Sequence, residues 1–161
     1  MISLRPATEG DADRLRAWRN DPVTRESSFS QGEIGAEEHA HWLARKLADP
    51  QTAIWIAQAA GEPVGQVRLD RLGDTTAAEV DIAVAPECRG RGHAATILRL
   101  AALEARDRLA VDRLEARVKA GNEASARSFR GAGFTELEAE EDGTLRFQLR
   151  LPSGQDDAQS S

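Results

Sequence analysis

The segment RGRGHA, residues 89–94, combines two arginines with two glycines. It lies between a strand-like run that ends at Val84 and a helical run rich in alanine and leucine. Glycine lacks a Cβ, so the backbone can approach a ligand closely, and the free N–H groups and dipole of an opening helix both favour an anion. Arg89, Arg91 and His93 add mobile positive charge. The segment is therefore predicted to bind a pyrophosphate.

Two carboxylates precede this segment on a strand-like run, residues 79–84. The run alternates, with Val80, Ile82 and Val84 on one face and Glu79, Asp81 and Ala83 on the other. A carboxylate that reaches an amine directly or through a water molecule can act as a general base. Glu79 and Asp81 are the candidates for that role, and Glu79 is the first choice of the two. An equally open interpretation is that one or both are ordinary outward-facing charges on a half-exposed strand.

The composition is that of an ordinary globular protein with one domain. A chain of 161 residues can bury a core without disulfides or metals. The formal net charge of −6 argues against general affinity for nucleic acid. Cys88 is the single cysteine, and the three histidines lack metal-ligand spacing, so no metal site is predicted. Since no apolar run approaches the ~20 residues of a membrane helix, we expect a cytoplasmic enzyme or binding domain without a membrane partner.

Strand-like and helical patterns alternate along the chain. Strands are predicted within residues 2–5, 54–57, 64–69, 79–84, 114–118 and 145–149, and the turn around Gly61 makes the second and third a hairpin. Capping residues mark three helix starts at Thr8 with Asp11, at Asp21 with Pro22, and at Asn122. Gly133 is predicted to end the last helix in a left-handed conformation.

Two longer helices show a buried face in the sequence. Residues 35–48 place Ala36, Ala40, Leu43 and Leu47 at a spacing typical of one apolar face. The helix after the glycines places Ala94, Leu98, Ala101, Ala105 and Leu109 near one face. From residue 153 onward the chain is polar and is predicted to be disordered.

Two segments carry a family resemblance. VDIAVAPECRGRGHA, residues 80–94, resembles the acetyl-CoA motif Q/R-x-x-G-x-G/A of the GNAT acetyltransferase superfamily, with Arg89, Gly92 and Ala94 at its defining positions. NEASARSFRGAGF, residues 122–134, resembles the closing motif of that superfamily. The resemblance implies an α/β (α+β) fold, with one domain over residues 1–152. It implies a central mixed, mostly antiparallel twisted sheet of six to seven strands, flanked by about four helices.

The resemblance also implies acetyl-CoA as cofactor and a set of residues that bind it. The pyrophosphate would lie on backbone amides of the loop, the pantetheine arm would pair with the strand before it, and Asn122 would contact the cofactor from the opposite side. The implied cofactor-binding residues are Ile82, Ala83, Val84, Arg89, Gly90, Arg91, Gly92, His93, Ala94, Asn122, Ser125 and Phe129. Acetyl transfer would be direct, so Cys88 is expected to be a packing residue.

One position departs from the family pattern. Many relatives have a tyrosine where this chain has Phe129, and that tyrosine is taken to protonate the departing thiolate, yet the chain contains no tyrosine. A thiol has a pKa of about 8.5, so the missing acid is expected to slow the reaction without preventing it. Water or Ser128 could substitute. A hydroxyl at the position of Ser128 more often bonds to its own helix backbone.

The N-terminal half resembles, in four short stretches, bacterial acetyltransferases that act on nucleotide-linked 4-amino-sugars. The stretches are WRNDP (18–22), FS (Phe29 and Ser30), EEHAHWL (37–43) and GQVRLD (65–70), in which Arg68 and Asp70 could be neighbours. The resemblance implies that Arg19 meets a phosphate and that His39 and Trp42 border the acceptor cleft. Other interpretations stay open, namely that Trp42 packs, which its position beside the buried stripe favours, that His39 satisfies a backbone group, and that Arg19 serves a helix dipole. Trp18 is expected in the core.

Three functions stay open at this point. The first is an N-acetyltransferase for a nucleotide-linked amino-sugar or another small amine. The second is an acetyltransferase of protein or ribosomal-protein N-termini. The third is a non-catalytic module that binds CoA, for which Phe129 is the motivating residue. Relatives commonly dimerise, so a homodimer is one open outcome.

Overall fold

The computed structural model describes residues 1–29 and 32–152, which contain seven strands and five helices. Their bounds are β1 (Ile2–Pro6), α1 (Ala12–Asn20), α2 (Pro22–Ser27), α3 (Ala36–Ala48), β2 (Thr52–Ala59), β3 (Glu62–Arg71), β4 (Ala77–Val84), α4 (His93–Leu109), β5 (Arg113–Val118), α5 (Glu123–Gly131), β6 (Thr135–Leu137) and β7 (Leu145–Arg150). Short 3-10 turns, Glu9–Asp11 and Pro86–Cys88, precede α1 and follow β4. Ser30 and the predicted tail, residues 153–161, lie outside the described residues.

The strands form one sheet in the order β1-β2-β3-β4-β5-β7-β6. Only β4 and β5 pair in parallel, and every other neighbouring pair is antiparallel. This confirms the predicted fold class, with five helices where about four were expected, and the six-residue α2 begins at the predicted Asp21–Pro22 start. The hairpin of β2 and β3 is also confirmed, because Ala60 and Gly61 take positive φ values of 51° and 81° in its turn.

The parallel pair opens into a wedge. Ala77 pairs with Arg113, Ala78 with Leu114 and Glu79 with Glu115, and pairing stops there although both strands continue. β4 keeps β3 as its partner as far as Val84, and β5 keeps β7 as far as Val118. The sheet therefore divides between residues 80–84 and residues 116–118. We call this gap the β4–β5 wedge and the pair Glu79–Glu115 its apex.

Helix α4 supplies much of the core on one face of the sheet. Ile97, Leu98, Ala101, Ala105 and Leu109 are buried, as the sequence predicted for all but Ile97, whereas the predicted Ala94 is only half-buried. Fully burying a leucine or isoleucine side chain contributes about 1.5–3 kcal/mol. Helix α4 also packs against β1, β3 and β4, so the sheet determines its position.

The predicted buried face of α3 is confirmed at Leu43 and at Leu47, which packs against the core, but is wrong for its two alanines. Ala36 and Ala40 are exposed, whereas His39 and Leu43 are buried and Trp42 is half-buried. The helix is rotated so that its large rings, rather than its alanines, face the core, since burying an aromatic side chain removes far more apolar surface from water. Trp18 is buried as expected.

The capping predictions are confirmed at both ends of the chain. Thr8 N–H donates to the Asp11 carboxylate at 2.9 Å, and Asp21 caps α2 by accepting from Thr24 N–H at 3.1 Å. Gly133 has a φ of 94° just after α5. Cys88 is buried, as a packing residue would be. No helix within the described ranges is long and apolar enough to cross a bilayer.

Candidate active site

The RGRGHA loop presents open backbone at the start of α4. Gly90 and Gly92 have φ values of 79° and 76°, and no heavy atom lies within 4 Å of the place where a Cβ would stand on either. Gly92 is the N-cap residue of α4 and provides no side-chain cap. The first N–H groups of a helix have no partner within it. An anion can therefore approach these groups without displacing a side chain.

Arg89 is held in place rather than mobile, which corrects the expectation from the sequence. Its Nη2 donates to Asp21 Oδ2 at 2.8 Å and to Thr24 Oγ1 at 3.1 Å. The hydrogen bond from Arg89 is the main reason that the pKa of Asp21 lies below its usual value. The side chain thus joins the loop to α2. Arg91 is exposed and His93 half-buried, so these two remain beside the open backbone.

The end of β4 turns backbone groups toward the wedge. Ala85 N–H donates to the Val64 carbonyl at 2.8 Å. Successive strand residues direct their backbone groups to alternate sides, so the N–H and C=O of Val84 point away from β3. A Cβ on Gly65 would lie 2.6 Å from the Ala83 carbonyl oxygen, so only glycine allows β3 to follow β4 so closely. Ile82, Ala83 and Val84 are half-buried along this wall.

Glu79 and Asp81 share one face of β4, as predicted, but differ in their contacts. Asp81 accepts from Gln66 Nε2 at 3.0 Å, and its carboxylate lies 4.0 Å from Arg68 Nη1. The Glu79 side chain is exposed at the wedge apex and makes no hydrogen bond or ion pair with any residue of the described ranges. Glu79 is therefore the carboxylate with free lone pairs next to the wedge.

The far wall of the wedge is β5, and α5 follows β5 in the chain. Asn122 caps α5 by accepting from Ser125 N–H at 3.2 Å, and both residues are half-buried. Phe129 is only 3% exposed, with its ring stacked on Phe147 at 5.5 Å and edge-on to Phe134 at 5.1 Å. The position at which the resemblance implies a tyrosine is thus occupied by a core phenylalanine.

Ser128 has its hydroxyl engaged within its own helix. Its Oγ donates to the Ala124 carbonyl at 3.0 Å, which confirms the expectation for a hydroxyl at this position. Because that proton points along the helix backbone, Ser128 does not offer it to the wedge. The site therefore contains no obvious side-chain acid among the residues that the sequence suggested.

The three suggested acceptor residues are largely internal. His39 is 3% exposed, and burial, followed by the positive charges of Arg16 and Arg19, lowers its pKa, so it is neutral at pH 7. The Trp42 ring lies 5.4 Å from His39 and has the Arg68 guanidinium 5.0 Å from its centroid. One aromatic face is therefore already covered. Arg19 is half-buried.

A polar network beside Trp42 includes the predicted neighbours Arg68 and Asp70. Arg68 Nε donates to Asp70 at 2.6 Å, which confirms that prediction, and Lys46 Nζ and Thr52 Oγ1 donate to the same carboxylate at 2.9 and 2.8 Å. Burial tends to raise the pKa of Asp70, but these donors and the Arg68 charge outweigh it and lower the pKa. Sequence reasoning missed Lys46 and Thr52, because they are separated from Asp70 by 24 and 18 positions.

A charged pocket next to the wedge apex was also missed. Its lining residues come from β4, β5, β6 and β7 and are Glu79, Glu115, Ala116, Arg117, Leu137, Arg146 and Phe147. Phe29, which is half-exposed, places its ring 4.6 Å from the Arg117 guanidinium. In the sequence these charges resemble the solvated face of ordinary strands. Only the alternation of β5 and β7 indicated that Glu115, Arg117 and Arg146 share a face.

Comparison with known families identifies the domain type. A family model described as an acetyltransferase (GNAT) domain matches residues 2–135. No curated protein sequence gives a significant match to this chain.

Solved structures share the fold over nearly the whole chain. Spermidine N-acetyltransferase from Vibrio cholerae, in complex with CoA and spermine, has a TM-score of 0.84 and 19% identity over 92% of this chain and 95% of that chain. Ribosomal-protein-alanine N-acetyltransferase from Brucella melitensis has a TM-score of 0.78 and 28% identity over 92% of this chain and 99% of that chain. An aminoglycoside acetyltransferase in complex with coenzyme A has a TM-score of 0.77 and 19% identity, over 93% and 95% of the two chains.

Proposed function

This chain belongs to the acetyltransferase (GNAT) family, and we propose that its acceptor is the primary amine of a small molecule, with a nucleotide-linked amino-sugar as the first candidate. The chain is accordingly an acetyl-CoA-dependent N-acetyltransferase. We further propose that residues 1–152 form one acetyltransferase domain.

The proposal rests on one observation: the RGRGHA loop, the β4–β5 wedge and the Glu79 carboxylate follow one another along a single path. The wedge begins beside the RGRGHA loop and closes at Glu79, which lies five residues before Val84 on β4. At 3.3 Å per residue this path is about 17 Å long. An elongated cofactor with its phosphates on the loop would thus place its other end at the apex.

The residues present fit acetyl-CoA. The open positions above Gly90 and Gly92 and the uncapped first turn of α4 suit a pyrophosphate. The outward backbone groups of Val84 suit an amide-bearing arm, with Ile82 and Ala83 along the same wall. Asn122, Ser125 and the buried Phe129 would border the cofactor from α5. When bound, acetyl-CoA supplies an acetyl group activated as a thioester.

Glu79 has the role of general base in this proposal. The acceptor amine must lose a proton to become nucleophilic, and a lysine-like amine with a pKa of about 10.4 is only ~0.04% neutral at pH 7. The Glu79 carboxylate has unoccupied lone pairs at the apex, so it can accept this proton directly or through water. The new N–C bond forms as the C–S bond breaks. Asp81 is the second candidate, restrained by Gln66 and Arg68.

No side chain is assigned to protonate the departing thiolate. Phe129 has no proton to donate, and the Ser128 hydroxyl is bonded to Ala124. A thiolate with a parent pKa of about 8.5 leaves tolerably near neutral pH and takes its proton from water. The missing acid thus slows the reaction without changing its class. We therefore do not favour a non-catalytic module that only binds CoA.

An alternative acceptor is the N-terminal amine of a protein. The 28% identity with a ribosomal-protein-alanine N-acetyltransferase supports it, because that similarity covers 92% of this chain. An α-amino group has a pKa of about 7.8, so its deprotonation costs only ~1 kcal/mol at pH 7. The spermidine and aminoglycoside acetyltransferases share the fold at 19% identity. Spermidine and an aminoglycoside therefore also belong among the acceptors to be tested.

A panel of acceptors tests the proposal. Purified protein is incubated with acetyl-CoA and with a nucleotide-linked amino-sugar, a free amino-sugar, an aminoglycoside, spermidine or a short alanine-terminated peptide, and free thiol is measured. We expect thiol release above background with the sugar-nucleotide. Release with the peptide alone would favour the alternative. Tight CoA binding with no release from any amine would contradict the proposal.

A further inference from the structure

We infer that the acceptor carries a phosphate or carboxylate in addition to its amine, and that Arg146, beside Arg117, binds this anion next to Glu79. The inference rests on the proposed function, since it names the class of molecule that the same site accepts. It concerns the charged pocket defined above, which none of the three suggested acceptor residues lines.

This pocket is lined by equal numbers of acidic and basic side chains, and the two signs lie in separate rows. Its ionisable lining consists of two carboxylates, Glu79 and Glu115, and two guanidinium groups, Arg117 and Arg146. A pocket for a polyamine would be expected to present carboxylates without competing cations, because like charges repel at close range. A lining with both signs instead suits a molecule that carries an amine at one end and an anion at the other.

The register of the sheet orders these four side chains into two rows. Glu79 pairs with Glu115 across β4 and β5, and two positions further along β5 Arg117 pairs with Arg146 across β5 and β7. Directly opposed residues have Cβ atoms about 4.5–5.5 Å apart, and like charges there are destabilising. An anion between the two guanidinium groups would offset that repulsion. Glu140 already neutralises Arg117, so the ligand would supply the counter-charge that Arg146 lacks.

Arg146 is the cation with free donors. Arg117 Nε and Nη2 donate to the Glu140 carboxylate at 2.7 and 3.1 Å, and Phe29 lies against the same guanidinium. Arg146 is exposed and makes no hydrogen bond or ion pair with residues 1–29 or 32–152. A guanidinium group presents a fork of donors that matches a phosphate or carboxylate. Arg117 is fixed by Glu140, whereas Arg146 can turn to a ligand.

The geometry limits the distance between the two ends of the acceptor. β4 and β7 are separated by β5 alone, and two strand spacings combined with the two-residue offset along the strands put the backbone positions of Glu79 and Arg146 about 12 Å apart. An amine at Glu79 and an anion at Arg146 therefore belong to one small molecule. A nucleotide-linked amino-sugar has such a phosphate, and a short peptide has such a carboxylate, whereas the amine and carboxylate of a free amino acid are too close together. The shared chemistry is an amine and an anion held several ångströms apart, within about 12 Å.

Matched acceptors test this inference on the purified full chain. One pair is a nucleotide-linked amino-sugar and the same amino-sugar without phosphate, and the other is a short peptide and its C-terminal amide, with spermidine as the polycation. We expect at least about tenfold higher kcat/KM for the anionic member of one pair. The pair that shows the preference identifies the source of the anion.

Two variants localise the effect. Arg146→Gln should raise KM for the preferred acceptor about tenfold, leave kcat within about twofold, and abolish the preference over the uncharged partner. Arg150→Gln is the matched control, because Arg150 lies on the same strand and face but outside the pocket, and it should behave as wild type. Unchanged acetyl-CoA affinity in Arg146→Gln will show that the variant is folded.

Three results would overturn the inference. Spermidine or the uncharged amines could be the better substrates, or Arg146→Gln could retain the wild-type preference; both would leave the proposed function in place. Absence of thiol release from every amine would instead overturn the proposed function and this inference with it.

Discussion

Arg89 donates from Nη2 to Oδ2 of Asp21 at 2.8 Å, which fastens the RGRGHA loop to the first turn of α2. The two residues are 68 positions apart in sequence. Asp21 serves two partners at once, because it also accepts from Thr24 N–H at 3.1 Å as the N-cap of α2. The carboxylate therefore links the cofactor side of the molecule to a helix of its N-terminal half.

Substitution of Asp21 separates these two roles. Asparagine is also a good N-cap, so Asp21→Asn removes the charge and retains the cap, whereas Asp21→Ala removes both. We expect Asp21→Ala to lower the free energy of unfolding by about 1 kcal/mol more than Asp21→Asn. Urea denaturation at pH 7 measures the difference. Equal losses in the two variants would show that the cap contributes nothing.

The ion pair should also make stability depend on acid pH. The hydrogen bond from Arg89 lowers the pKa of Asp21, so the folded state binds this proton less tightly than the unfolded state does. The stabilisation is therefore complete above the unfolded pKa of about 3.9 and is lost as pH falls through the lower folded value. We expect the stability difference between wild type and Asp21→Asn to shrink below about pH 4. A difference that stays constant down to pH 2 would contradict this linkage.

Gly92 tests the anion site through a matched backbone control. Its φ is 76° and Gly61 in the β2–β3 turn has a φ of 81°, with open space above both. Alanine at either position therefore incurs similar strain, about 1 kcal/mol. We expect only Gly92→Ala to weaken acetyl-CoA binding, by about tenfold or more, because its Cβ intrudes where the phosphates would lie. Calorimetric titration of both variants measures this, and equal affinities would argue against the loop as the binding site.

Much of the fold could be predicted because its signals are local. The β4 alternation placed Glu79 and Asp81 on one face, and the caps at Asp21 and Asn122 follow from side chains that bond to backbone two or three residues away. The RGRGHA loop was predicted from an equally local signal, its two glycines before a helical run. Helix α3 was predicted only in part, with Leu43 and Leu47 correct, because its alanines and its rings competed for the core and periodicity alone does not say which face is buried deeper.

The parts of the site that were not predicted depend on long-range pairing. Arg89 was expected to be mobile because nothing in its neighbourhood indicates Asp21, and Arg146 was passed over because its relation to Glu79 runs through β5. The sequence also suggested His39 and Trp42 for the acceptor, whereas the structure places His39 in the core and Arg68 against Trp42. Side chains brought together by sheet register leave no local pattern.

Phe129 should matter for stability and not for proton transfer. Its ring is packed between Phe134 and Phe147, so Phe129→Leu loses aromatic contacts and leaves a small cavity. We expect a loss of about 1–2 kcal/mol in the free energy of unfolding. The pH dependence of kcat should be that of wild type. A shifted or flattened pH profile of kcat in a folded Phe129→Leu variant would show that Phe129 takes part in catalysis and would contradict this prediction.

Gly65 should be required for the close approach of β3 to β4. A Cβ there would stand 2.6 Å from the Ala83 carbonyl oxygen, a backbone atom that cannot move aside cheaply. Overpacking of this kind typically costs about 1–3 kcal/mol, so Gly65→Ala should lower the melting temperature and, by displacing residues 82–84, also weaken acetyl-CoA binding. Gly10→Ala is the control, since its Cβ would lie 3.4 Å from Thr8 Oγ1. A Gly65→Ala protein with wild-type stability would contradict this reading of the strand pair.

The role of Glu79 at the wedge apex is tested most directly by the rate of thiol release from acetyl-CoA with saturating acceptor, compared between Glu79→Gln and Asp81→Asn. We predict that kcat falls about 10²-fold or more in Glu79→Gln, with unchanged acetyl-CoA affinity, and less than about threefold in Asp81→Asn. The activity lost in Glu79→Gln should recover in part as pH rises, because more of the amine is then neutral without a base. A wild-type rate and pH profile in Glu79→Gln would contradict the account.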